Sequence, residues 1–480
     1  MERAIRVGVI GVDHGHILGM AASMRAAGAQ IVAWSTGVDT GDAERAAFRS
    51  LFPDVPQREE AAVLEDGSLD IILSAAVNAD RARIAIAAMR HGKDVMVDKP
   101  GCTSLEQLAQ IRAVQAETGR IWSVCFSERL QVESATLAGQ LIAEGRIGKV
   151  VQTVGLGPHR LNAPTRPDWF WARERSGGIL TDICAHQFDQ FLFFTGSTTA
   201  RVVSAHAGNV ANAERPGFQD FGEVLLEGNG GRGYARVDWL TPDGLPVWGD
   251  GRMTILGTEG FIELRKYIDI AGRPGKDHVF LSDRSGTQYL NAEGAGKPYF
   301  AALCADILAR GESAMPQAHA FLATELALSA QQMAEAAGQG NSGMSRSIGI
   351  AVLGAGIGKA HALAIAALPD HYRLLYVCDL DRARAEEAAS AVPGCKAVTD
   401  MAEVLADPEV EIADICLPPR LHHAVTLKVL AAGKHAICEK PLAGSLREVD
   451  EIIAAAKDLA VRCFRCSSTA MAPGSGASMR

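Results

Sequence analysis

Residues 348–358 read Ile-Gly-Ile-Ala-Val-Leu-Gly354-Ala-Gly356-Ile-Gly358, and residues 6–16 read Arg-Val-Gly-Val-Ile-Gly11-Val-Asp13-His14-Gly15-His16. Each is an apolar β-rich run, then a glycine turn, then an alanine-rich helical stretch. Glycines in such a turn let the backbone approach a pyrophosphate held at the helix N-terminus. The 348–358 stretch has three of them, and Asp379 ends the next strand-like run. A carboxylate there accepts hydrogen bonds from an adenosine ribose and repels a 2′-phosphate, which favours NAD over NADP. Gly354, Gly356, Gly358 and Asp379 are therefore cofactor candidates. In the 6–16 stretch Asp13 replaces the second glycine, and the next strand ends in Trp34-Ser35 without an acid. Gly11, Asp13, His14, Gly15 and His16 are the matching candidates, with NAD or NADP left open.

The two stretches head a duplication. Cys438-Glu-Lys440-Pro441 restates Val97-Asp98-Lys99-Pro100; the glycines at 11 and 354 lie 343 apart and the lysines 341 apart. So small a slip marks a repeated domain. Between the motifs, strand-like runs at 31–34, 71–75 and 94–97 alternate with helical stretches such as 80–91. That alternation predicts a parallel sheet with helices on both faces. From about residue 124 the pattern changes to alternating runs at 149–154, 201–206, 222–226, 233–239 and 252–255, which predict a largely antiparallel sheet. A long closing helix is expected over 313–337. The domains expected are 1–123, 124–337, a polar glycine-rich linker at 338–347, 348–462, and a low-complexity tail at 463–480.

Composition narrows the class. The chain has 480 residues, 48% hydrophobic and 21% charged, which fits several globular domains. A net charge of −9 argues against nucleic acid or an anionic membrane as partner. The ten cysteines lack regular spacing and read as reduced, buried small hydrophobes. Cys463-Phe-Arg-Cys466 has redox-motif spacing without the surrounding fold signals. No stretch approaches the roughly 18 apolar residues of a membrane span, and no signal-peptide pattern precedes Ile5, so a cytoplasmic location is expected.

Residues 176–189 read Ser-Gly-Gly-Ile-Leu-Thr-Asp182-Ile-Cys-Ala-His186-Gln-Phe-Asp. On a helix Asp182 and His186 share a face, and Gly177-Gly178 leave room for backbone or cofactor. With Lys99 they form a set able to move a proton at a secondary alcohol. His186, with an ordinary pKa of about 6.5, suits the base; Lys99 suits the developing oxyanion, and Asp182 the orienting role. His159, Arg160 and Trp169 add hydroxyl and carboxylate partners and a flat apolar face, a mixture suited to a polyol or sugar acid. Asp13, His14 and His16 raise a metal site. Loop residues so close in sequence rarely complete a ligand set without partners from elsewhere, so they are read as a helix cap or as contacts to phosphate and nicotinamide, and no metal is expected.

Together these motifs, with Gly257-Thr-Glu-Gly260, resemble the Gfo/Idh/MocA oxidoreductases, the family of glucose–fructose oxidoreductase and inositol dehydrogenase. The resemblance covers residues 4–335 as a full member and 347–462 as a second nucleotide-binding domain. It implies an α/β fold class: a Rossmann domain, an α+β domain with an open, mainly antiparallel sheet, then a second Rossmann domain. It implies NAD(P)-dependent hydride transfer at a carbon of a sugar, sugar acid or cyclitol. Lys99, Asp182 and His186 match its catalytic positions, and Asn78 and Lys440 match cofactor positions. It also implies a homo-oligomer through the open sheet. Asp98 departs from the usual glutamate. Ala76-Val77-Asn78-Ala-Asp80-Arg81 keeps only the asparagine of the T-P-N-x-x-H pattern, whereas Pro418-Pro419-Arg420-Leu421-His422 lies nearer to it.

The second copy carries no aspartate–histidine pair and is not expected to catalyse alone. Codons permitted for residues 466–474 can read, two bases on, as Phe-Gln-Tyr-Arg-Tyr-Gly-Pro-Gly, comparable with Phe126-Ser-Glu-Arg129. The expectation is a frameshift that truncated a second dehydrogenase, with Met344 as its former start. The rival class is a catalytically silent nucleotide- or sugar-binding regulator, favoured by Asp13 and by the missing ribose acid.

Overall fold

Alternating strands and helices build the first sheet: β1 (Arg6–Ile10), β2 (Gln30–Ser35), β3 (Ile71–Ser74), β4 (Asp94–Asp98) and β5 (Trp122–Cys125). The structure is a computed structural model and describes residues 3–342, 347–369, 371–390, 392–459 and 461–465. The strands run parallel in the order β2-β1-β3-β4-β5. Val7, Val9, Ile71, Ile72, Val95 and Val97 are all fully buried, as strands covered by helices on both faces must be. Strand order reverses between β1 and β3, which opens a crevice at their carboxyl ends. Gly11 follows one strand and Ala75-Ala76 the other; Gly11, at φ +80°, has no room for a side chain, since a Cβ would lie 2.5 Å from that of Ala76.

An eight-stranded sheet follows, in the order β13-β12-β11-β10-β6-β9-β8-β7. It comprises β6 (Val150–Pro158), β7 (Ala200–Gly208), β8 (Phe221–Gly228), β9 (Gly231–Asp238), β10 (Arg252–Gly257), β11 (Phe261–Arg265), β12 (His278–Asp283) and β13 (Gly286–Asn291). Every pairing is antiparallel except the central β6–β9 pair. The helix Glu133–Ala143 covers part of one face, with Ala135, Ala138 and Leu141 in one core with Met253, Ile255, Ile262 and Leu264. The helix Ala185–Thr195 covers another part, and Gly233 leaves space for the Phe191 ring.

Contacts divide the chain into two compact units, residues 1–340 and 341–480. The closing helix is Gln317–Ser342, so it begins later than the sequence indicated and runs through 338–342 of the expected linker. Extending an existing helix fixes one residue per hydrogen bond, and this is easier than starting a new one, so a glycine-containing polar stretch is carried along. In the second unit β14 (Ile348–Leu353), β15 (Tyr372–Cys378), β16 (Lys396–Val398), β17 (Ile412–Ile415), β18 (His435–Cys438) and β19 (Cys463–Arg465) form a parallel sheet in the order β16-β15-β14-β17-β18-β19. The first three residues of the expected tail are thus an edge strand, with Phe464 paired to Ile437. Cys466, the codon-level argument over 466–474 and Met344 lie outside the described residues. Among the described residues no helix is long and apolar enough to cross a membrane.

Candidate active site

The end of β4 brings the chemistry together. Asp98 closes the strand, Lys99-Pro100 turns out of it, and Lys99 Nζ lies 2.6 Å from Asp182 Oδ1. Both Lys99 and Asp182 line a cavity of about 170 Å³. Beneath this turn sits Arg81, fully buried, whose Nε donates to Ala76 O at 2.8 Å. Its Nη1 donates to the carbonyls of Asp98, Lys99 and Pro100, and its Nη2 stands 3.3 Å from Asp98 Oδ2. In the second unit His422 occupies the corresponding place, its ring 2.7 Å from Leu417 O and 2.6 Å from Pro441 O. The histidine missing from 76–81 is therefore replaced by an arginine that binds the same two stretches of chain and adds a charge for Asp98.

Asp182 and His186 do not lie on one unbroken helix. The helix Ile179–Asp182 ends, and the next begins at Ala185. Between them Cys184 N donates to Ile179 O, five residues back, and His186 N to Ile183 O, three back. That slip turns His186 away from the ideal four-residue spacing. Asp182 lines the cavity, whereas His186 is buried and absent from its lining, with Nδ1 lacking a hydrogen-bond partner. Burial lowers the His186 pKa to about 4, with the Glu128 carboxylate opposing that shift, and this is well below the ordinary value assumed from the sequence. The paired glycines also act differently from the expectation. Gly177 and Gly178 adopt φ +90° and +82°, and a Cβ on Gly178 would meet the Gln331 amide at 2.5 Å. Gln331 in turn accepts from Leu180 N at 3.0 Å, which fixes the start of the Asp182 helix.

The cavity has two faces. His14, His16, Asn78, Asp98 and Lys99 belong to the first domain, and His159, Arg160, Trp169, Trp239 and Trp248 to the second. Asn78 Nδ2 donates to Ser176 O at 2.7 Å, tying the two faces together. The His159 ring lies between Trp239 and Trp248, with its Nδ1 3.1 Å from Gly157 O. Burial lowers its pKa to about 3. Arg160 is committed to the carbonyls of Pro242 and Leu245 and so holds the 240–250 loop. The buried Trp169 indole N–H has no partner. The sequence reading gave no site role to Arg81, Trp239 or Trp248, whereas Arg166 stood in a run read as offering carboxylate partners. Arg166 Cζ lies 4.5 Å from the Phe170 ring centre and 4.8 Å from that of Trp239. Deeper in, Glu128 pairs with Lys266 Nζ at 2.6 Å; burial raises its pKa, but Lys266, His186 and His159 outweigh that and bring it to about 2.

Whether a dinucleotide fits differs between the repeats. In the second unit Gly354 has φ +100°, Gly356 faces open space, and a Cβ on Gly358 would lie 2.6 Å from Val352. These are the three uses of glycine in a pyrophosphate turn: tight turn, open approach and helix-to-strand packing. Asp379 Oδ2 accepts from Ala355 N at 2.8 Å, just beyond the second strand of this sheet. Lys440 is exposed. In the first unit Gly11 keeps the turn and Gly15 faces open space. Asp13, in the place of Gly356, is buried and accepts from Thr40 Oγ1 at 2.7 Å and Asp39 N at 3.2 Å. Burial raises its pKa. His14 and His16, left without a distant partner by the sequence, find one in Asp98: His16 Nδ1 lies 3.1 Å and His14 Nδ1 3.8 Å from Asp98 Oδ2.

Comparison with known proteins agrees with this architecture. The Gfo/Idh/MocA model described as an oxidoreductase family with an NAD-binding Rossmann fold matches residues 5–126 and again 348–465, and the Gfo/Idh/MocA C-terminal domain matches 136–263. The chain belongs to the Gfo/Idh/MocA oxidoreductase family. A protein of Erwinia carotovora atroseptica SCRI1043 known by its crystal structure is 45% identical, with a TM-score of 0.66 over 69% of this chain and 98% of its own. The scyllo-inositol 2-dehydrogenase (NAD(+)) of Bacillus subtilis is 27% identical over 59% of this chain and 81% of that enzyme. The inositol 2-dehydrogenase of Mycolicibacterium smegmatis is 33% identical over 24% of this chain. The chain spans only about a third of the length of such relatives, 34% in that case. Levoglucosan dehydrogenase in complex with NADH and levoglucosan shares the fold, at 16% identity and a TM-score of 0.59 over 70% of this chain and 98% of its own. This Gfo/Idh/MocA protein differs from a single-copy member by its second Rossmann domain.

Proposed function

We infer that residues 1–337 form an NAD(P)-dependent dehydrogenase acting on a secondary alcohol, or the matching ketone, of a sugar, sugar acid or cyclitol. The observation that carries this reading is the Lys99–Asp182 ion pair on the lining of an aromatic-walled cavity beside the dinucleotide crevice. NAD(P), held by Gly11, Gly15 and Asn78, would accept the hydride from the alcohol carbon. Lys99 donates a hydrogen bond to the substrate oxygen as charge develops there. Asp182 holds the lysine and an adjacent hydroxyl. His186, neutral because burial lowers its pKa to about 4, is the base of this reading; it lies buried outside the cavity lining, so taking the hydroxyl proton requires its free Nδ1 to be brought to the cavity when substrate binds. Trp169 and the His159–Trp239–Trp248 group present flat faces to a ring, and Arg166 attracts a carboxylate.

Titration of NADH and NADPH into the full chain and its Asp379→Ala variant, followed by a polyol panel with His186→Ala as control, tests the reading. Turnover that requires His186 supports it. A first unit that binds no dinucleotide would instead make the chain a silent binding protein, the reading that Asp13 favours. Asp379 supports NAD as the ligand of the second unit.

A further inference from the structure

We propose that His14, His16 and Asp98 form a divalent-cation site opening on the cavity, a site for an ion of the zinc or cobalt class. Two departures from the usual pattern meet at this point. One is the loop, where histidines stand at 14 and 16 while the second repeat has Ile357 and Lys359. The other is the end of β4, where Asp98 replaces the longer Glu439. None of the three residues recurs in the second repeat, whereas Lys99 and Gly11 do. The departures are thus concentrated in one set of donor atoms.

The geometry fits an ion. One donor atom from each residue lies within 4.8 Å of the others. Tetrahedral bonds of about 2.0–2.2 Å to nitrogen and oxygen place donors roughly 3.4 Å apart, so modest side-chain rotations complete the site. Two imidazoles and a carboxylate select zinc-class ions over magnesium or calcium, which take oxygen ligands. The neighbouring cations are already matched: Lys99 by Asp182 at 2.6 Å, and Arg81 by carbonyls and Asp98 itself. His14, His16 and Asp98 all line the cavity, so a fourth position faces water or a substrate oxygen. Three protein ligands with an open place is the arrangement of a working rather than a structural zinc site. The proposal goes beyond the dehydrogenase reading and does not require turnover.

The test is Co²⁺ titration of the metal-stripped full chain, followed by visible absorption. Expected are d–d bands saturating at one equivalent, without a thiolate charge-transfer band, and at least tenfold weaker binding in His14→Ala and in His16→Ala. Asp98→Asn should also lose the bands, but Asp98 is paired with buried Arg81, so the two loop variants decide the matter. No d–d bands in the parent chain would overturn the site. So would bands that persist in both histidine variants, or bands with thiolate character, which would place the cobalt at the buried His361–Asp414–Cys416 group instead.

Discussion

Asp13 and Asp379 make the same tie from opposite sides. Asp379 directly follows β15 and reaches back to Ala355 N in its glycine turn, whereas Asp13 stands in the glycine turn and reaches forward to Thr40 and Asp39 beyond β2. Either way a carboxylate joins the turn to the end of the second strand. In one case it follows the second strand, where the dehydrogenase reading puts the ribose; in the other it occupies the place of the glycine that a pyrophosphate needs to approach.

Asp13→Gly is therefore expected to tighten NADH binding to the first unit about tenfold, or ~1.4 kcal/mol, by removing a buried negative charge from the phosphate path. Calorimetry on the Asp379→Ala background, where the second unit binds more weakly, separates the two sites. An unchanged dissociation constant would show that the pyrophosphate passes clear of Asp13.

Asp379→Ala removes the acceptor proposed for the ribose. NADH affinity of the second unit should fall about tenfold, and preference over NADPH should narrow, because a lost charged hydrogen bond costs roughly 1.5–3 kcal/mol while a 2′-phosphate gains by losing a repulsive neighbour. Parallel titrations with both cofactors decide this. An equal loss for both would place the adenosine ribose elsewhere.

Lys99→Met should leave the fold intact and lower kcat by at least about a hundredfold, since donors that meet a developing oxyanion are worth roughly 10²–10³. Asp182→Asn, which keeps the shape and loses the charge opposite Lys99, should lose less. Steady-state rates against an unchanged circular-dichroism spectrum make the comparison. A Lys99→Met protein with full kcat would remove the lysine from the chemistry.

Arg81→Ala should destabilise the first unit by roughly 3–5 kcal/mol, the usual cost of breaking a buried ion pair by deleting one partner. Arg81→His, which installs the residue of the second repeat, should recover part of that, because an imidazole can still bridge the two carbonyl stretches as His422 does. Urea unfolding followed by the fluorescence of Trp34 and Trp122 reports on this unit, since all described tryptophans lie in it. Equal losses in both variants would mean the Asp98 pairing, rather than the bridge, holds the turn.

The alternation of strands and helices and the duplication were legible because each rests on local periodicity or on a motif that fixes its own backbone, and the meeting of Lys99 with Asp182 was expected from the motifs and the family resemblance. Three things were not. The slip at Cys184 depends on which carbonyl each N–H reaches, and no residue type announces it, so His186 was placed on the face of Asp182. The replacement of His422 by Arg81 was visible as a difference but not as a bridge, because the partner carbonyls come from distant turns. Asp98 as the partner of His14 and His16 required knowing that β1 and β4 end side by side with only β3 between them. In each case the missing information is long-range contact.

Buried His186 links the fold to pH. Its folded pKa of about 4 lies below the ordinary 6.5, so between those values the unfolded chain binds the extra proton. Stability contributed by neutral His186 is complete above about pH 6.5 and falls as pH drops toward 4, by up to roughly 3 kcal/mol for the full shift. His159, lowered to about 3, adds a loss of the same sign. Urea midpoints at neutral and at mildly acid pH should therefore separate, and His186→Gln, which cannot titrate, should reduce the separation. The same lowering applies to rate: if His186 is the base, kcat/KM for the parent chain keeps its plateau down to about pH 5, without an acid limb near 6.5. A limb near 6.5 that survives in His186→Gln would assign the titrating base to another residue.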